Sequence, residues 1–159
     1  MAKGCSKGST APGDTPLAAL DVDPVEYGFL NAARFFCLSF SEPCSGAWVT
    51  ALLGAPSFFP GDDSAETMRC ALAVVHEMRT SRRSTFRFSN PRCEACAAIV
   101  TEHERHLVQM VQHARAGRGS MMASSAMLLC EGHDTARVCA AAQGFASHVG
   151  APQRARVVV

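Results

Sequence analysis

NPRCEACAAIVTEHERHLVQMVQHARAGRGSMMASSAMLLCEGHD, residues 90–134, decides how the rest of the chain is read. It carries three of the eight cysteines, four of the six histidines and four of the seven methionines. Cys93, Cys96, Val100, Leu107, Val111 and Ala114 fall on one face of a helix turning about 100° per residue, with His103, His106, Met110 and His113 beside them. Asn90-Pro91 is expected to open that helix, which runs from Arg92 to about Ala116. Gly117 and Gly119 supply a turn, Ser120 caps a second helix from Met121 to Glu131, and Gly132 breaks it. The two form an antiparallel hairpin with its bend near residue 118.

Further helices are expected outward from this hairpin. Asp134 precedes a last one from Thr135 to about His148, before Gly150 and Pro152. Upstream, TSRRSTFRFSNPR reads as an extended connector without a partner strand. With Arg79 it carries Arg82, Arg83, Arg87 and Arg92 and no acid. Before it, Met68, Leu72, Val75 and Met78 recur at helical spacing over 65–80. Ser45 caps a short helix, GAWVTALLG, and SFFPGDD is a turn in which Phe58 and Phe59 look exposed. Asp23 as N-cap and Pro24 at the first helical position start a helix over 24–41, which Pro43 ends. The expected fold is all-α: a compact bundle of five or six helices over residues 23–150, with a flexible N-terminal tail (1–22) and a C-terminal tail (151–159).

Bulk properties narrow the class. The 159 residues are 48% hydrophobic and 18% charged, enough apolar content for one buried core. A net charge of +1 gives no global case for nucleic acid or an anionic membrane. The first sixteen residues lack the apolar core of a signal peptide. The apolar region 35–59 is interrupted by Glu42, Pro43, Gly54 and Pro56, too broken for a membrane span. A cytoplasmic setting with reduced thiols is therefore expected.

Cys93-x2-Cys96 and Cys130-x2-His133 are ligand types at spacings that suit a closed, structural Zn²⁺ site. Hairpin geometry offers a second set, His103, His106, Cys130 and His133, and leaves Cys93 and Cys96 near Cys139. The same residues on a core-facing helix also serve as small hydrophobes with histidines at the boundary. Arg82, Arg83 and Arg87, with the exposed-looking Phe86 and Phe88 to stack on bases, form a candidate anion or nucleic-acid contact. No Walker loop, dinucleotide glycine pattern or nucleophile elbow occurs. The function expected is a small non-enzymatic adaptor or regulator with helices pinned by zinc, acting on a protein partner or a second copy. A soft-metal or thiol redox sensor using zinc or copper, and a nucleic-acid binder, are the alternatives.

Overall fold

A computed structural model describes residues 11–152; of the expected tails (1–22 and 151–159), residues 1–10 and 153–159 lie outside the described residues. Five long helices make the body: α1 (Pro24–Ser41), α4 (Ser64–Ser81), α6 (Glu102–Arg115), α7 (Gly119–Leu129) and α8 (Ala136–Val149). Between α1 and α4 run α2 (Ala47–Leu53) and the one-turn α3 (Ala55–Phe58), and before α6 comes the one-turn α5 (Glu94–Ala97). The all-α bundle expected from periodicity is what forms. The closest neighbours are α6 with α7, the expected hairpin, and α4 with α8. Gly117, at φ +68, makes the bend between α6 and α7 in the left-handed region that suits glycine.

Helix starts follow local chemistry. Asp23 caps α1 with Pro24 at the first position, as expected. Glu26 completes a capping box: its amide donates to Asp23 Oδ1 at 2.9 Å, and the Asp23 amide donates to Glu26 Oε2 at 3.0 Å. A second box starts α6. The Glu104 amide donates to Thr101 Oγ1 at 3.2 Å, and the Thr101 amide donates to Glu104 Oε2 at 2.8 Å. This corrects the expected continuous helix from Arg92 to Ala116. The chain leaves α5 after Ala97 and extends through β2 (Ile99–Val100), where two β-branched residues favour strand. Thr101 then restarts it.

The extension has a partner that sequence reading did not find. β1 (Thr15–Pro16) pairs antiparallel with β2, Thr15 opposite Val100 and Pro16 opposite Ile99. Part of the expected flexible tail is thus a strap. Leu17, Leu20 and Val22 pack on Leu30, Val100 and Val108 in a small second core. The main core holds Phe29, Phe36, Met68, Val75, Leu107, Val111, Leu129 and Phe145, with the Phe29 and Phe145 rings 5.1 Å apart.

Arg34 and Arg115 are buried in ion pairs. Arg34 and Glu104, each 1% exposed, meet at 2.7 Å through Arg34 Nε and Glu104 Oε1. Arg34 also donates to the carbonyls of Ala97 (2.8 Å) and Ile99 (2.7 Å), and Glu104 Oε1 accepts the Ser89 amide at 3.0 Å. Arg115 Nη1 donates to Asp23 Oδ2 at 2.8 Å and Glu26 Oε1 at 2.9 Å, tying the end of α6 to the start of α1.

Where α1 crosses α3, Gly28 leaves no room: a Cβ there would sit 2.1 Å from the Phe58 carbonyl oxygen. Gly28→Ala is expected to cost about 1–3 kcal/mol of unfolding free energy by overpacking. Glu104→Ala, which leaves the buried Arg34 charge unpaired, should cost more, about 3–5 kcal/mol. Urea titration of both variants checks the magnitudes and their order.

Candidate functional site

The most unusual surface is on α2. Its inward positions are small: Ala47 and Ala51 are fully buried. Its outward positions are large and apolar: Trp48 is 51% exposed, Val49 38%, Leu52 48% and Leu53 79%. Trp48 with Leu52, and Val49 with Leu53, are each four residues apart and make adjoining ridges. A surface helix normally turns a polar face to water; one that is apolar all round is normally covered. Gly46, in the left-handed region at φ +64, starts the helix, and the Ser45 hydroxyl accepts the Ala47 amide at 3.2 Å. From Pro43 to Pro60 the chain carries no Asp, Glu, Lys, Arg or His. Met121, Met127 and Leu128 give α7 a second, smaller exposed apolar face.

The phenylalanines expected to be exposed are not. Phe59 is 5% exposed and in the core, and the half-buried Phe58 ring stacks on Phe35 with centroids 5.9 Å apart. Phe86 and Phe88 are half-buried against the core. Each belongs to an apparently exposed turn or connector that folds back on the bundle. The signal for α2 was in the sequence as its missing charges and missing polar stripe.

The arginine connector is largely engaged. The Arg82 side chain is 3% exposed and donates to the Leu129 carbonyl and, at 3.3 Å, to Glu131 Oε1. Its guanidinium therefore faces the bundle, not a ligand in solvent. Arg87 pairs with Asp14 on the strap, and its amide donates to His103 Nδ1 at 2.9 Å. Arg92 donates to the Ser45 carbonyl at 2.8 Å, and Arg79 lies over the Phe40 ring. Of the three candidate contact residues, Arg83 stays exposed with no side-chain bond among the described residues.

The expected metal ligands are distributed across the fold. Cys93 and Cys96 share the α5 turn, and Cys93 Sγ accepts the Cys96 amide at 3.4 Å. Cys130 ends α7 fully buried beside Ser81, and burial pushes its thiol pKa up. His133 follows in the next turn, facing a cleft with Glu77 and Arg137. In the alternative set, His103 packs tilted against Phe86 and His106 lies 3.9 Å from Glu102; burial lowers the pKa of both imidazoles. Among the described residues no three His, Cys, Asp or Glu side chains gather as a group able to hold a metal ion. The break between α5 and α6 is the physical reason that Cys93 and Cys96 leave the face of His103 and His106.

Glu131 shows why the connector lies where it does. It has φ +59, a strained conformation for a residue other than glycine, just after α7 ends. Its carboxylate accepts the Ser84 hydroxyl, the Arg83 amide at 3.0 Å and the Ser84 amide at 3.2 Å. These three bonds clip the end of α7 to the connector.

No protein-family model matches the chain, and no curated protein or solved structure matches it either.

The bonds from Ser84, and then the Arg83 amide and the Arg82 charge, hold the Glu131 carboxyl at about 2, below its ordinary 4.5. A depressed carboxylate stabilises the fold above its unfolded-state pKa, and that contribution is lost as pH falls through the folded value. Glu131→Gln should therefore be less stable than the parent at neutral pH. The gap should narrow below about pH 4.5 and be largely gone near pH 2. Urea midpoints at a series of pH values test this.

Proposed function

We propose that the protein is a small non-enzymatic adaptor or regulator that works through the outer face of α2. One observation carries the reading: Trp48, Val49, Leu52 and Leu53 are exposed on a helix whose water-facing side carries no charge and only Thr50 as a polar side chain. A second copy of the chain is the occupant best suited to it. With no ionisable acid, base or imidazole from residue 43 to 60, nothing on the face selects a partner by charge. A two-fold dimer would set the same apolar patch of each copy against the other. Among the described residues no helix is long and apolar enough to cross a membrane, so the face is not part of a membrane-spanning helix.

Trp48 is the only tryptophan, so its emission reports this face alone. Sedimentation velocity and fluorescence across a concentration series should show a dimer forming with a blue shift of Trp48. Leu53→Glu should abolish both and leave the thermal midpoint nearly unchanged, because the side chain it replaces is 79% exposed. A parent protein that stays monomeric with unshifted emission up to about 0.5 mM would end the self-association reading.

A further inference from the structure

We propose that Cys93 and Cys96 form a thiol–disulfide exchange site, a modification site whose co-reactant is a small-molecule disulfide. The pair stands on geometry and is independent of the role given to α2. One hydrogen-bonded turn joins the two residues: the Ala97 amide donates to the Cys93 carbonyl at 2.8 Å, and the Cys96 amide donates to Cys93 Sγ at 3.4 Å. Residues three apart on such a turn have Cα atoms about 5 Å apart, within the roughly 4.4–6.8 Å that a disulfide spans. The turn is pinned on both sides. Arg92 holds the Ser45 carbonyl before it; after it the carbonyls of Ala97 and Ile99 hold Arg34, and the Ala98 carbonyl takes the Leu17 amide at 2.8 Å. The sulfurs are thus presented together, both half-buried, on a backbone already set for ring closure.

The other described cysteines are differently placed. Cys37 and Cys130 are buried in the core, and burial raises the thiol pKa of Cys37, to about 12, and of Cys70, Cys130 and Cys139. The thiolate is the attacking species, so burial disfavours attack by these four. Cys44 is exposed. In the 93–96 site, one thiolate attacks a sulfur of the small disulfide, expelling one thiolate and leaving a mixed disulfide on Cys93. The Cys96 thiolate then attacks Cys93 Sγ and expels the second. Two protein thiols lose two electrons and two protons, and the small disulfide becomes two thiols.

The test uses the full chain in glutathione redox buffers, with acid quench, alkylation and tryptic mass mapping. Cleavage after Arg92 and Arg105 isolates a peptide whose only cysteines are Cys93 and Cys96. The expected result is loss of two hydrogens from that peptide, with internal disulfide exceeding mixed disulfide by about tenfold or more, as a tethered resolving thiol requires. In Cys96→Ser, Cys93 should retain one glutathione. The proposal is overturned if the parent peptide carries as much glutathione as the variant. It is also overturned if Cys93 pairs with Cys44, or if the peptide stays reduced while Cys44 is modified.

Discussion

The buried pair of Arg34 and Glu104 is the constraint around which the rest of the fold is arranged. Taking both ions out of water costs several kcal/mol each, and only a full set of partners offsets it. The structure supplies that set. Glu104 accepts from Arg34, Ser89 and Thr101, and Arg34 reaches the carbonyls at Ala97 and Ile99. Those two carbonyls are available because the helix stops between α5 and α6. The same extended piece also offers its edge to Thr15–Pro16, so the strap pairs with the segment whose carbonyls Arg34 holds.

Arg115, with Asp23 and Glu26, repeats the logic at the other end of α6, joining helix starts and ends by charge. The bundle therefore spends several of its ionic groups internally while α2 turns Trp48 and Leu53 outward. This is an inversion of the usual arrangement. Charged side chains fix the register of the interior, and apolar ones are held in solvent by small alanines packed beneath them.

The sequence made the bundle legible because helical periodicity is local over α1, α4 and α8 and, at α1, the capping residue agrees with it; α7 instead starts at Gly119 after Arg118 with no side-chain cap, so Ser120 lies within the helix rather than capping it. Asp23-Pro24 and the bend at Gly117 are local signals, and local signals are what a single chain displays. The break near Ala98 was also written locally, in Thr101-x-x-Glu104 after Ile99-Val100, but the apolar period of Cys93, Cys96 and Val100 masked it. The strap and the burial of Arg82 depend on partners 47 to 85 residues away, which no spacing reveals. Among site residues, the exposed face of α2 was hidden because an apolar helix reads as core, whereas Phe58, Phe59, Phe86 and Phe88 read as exposed only because their segments looked like connectors.

The separation of Arg34 from Glu104 also orders events during synthesis. The two are 70 residues apart, and Ala97 and Ile99 lie almost as far downstream. At about 5–20 residues per second, α1 waits roughly 4–14 s between the emergence of its arginine and that of the carboxylate. Over that interval α1 carries a guanidinium on the side destined for the interior, before the Glu104 carboxylate exists to pair with it. It cannot settle into a closed core with its neighbours α2 to α4 without burying that charge alone. The interior of the amino-terminal half is thus completed only by residues 63 to 70 positions downstream of Arg34.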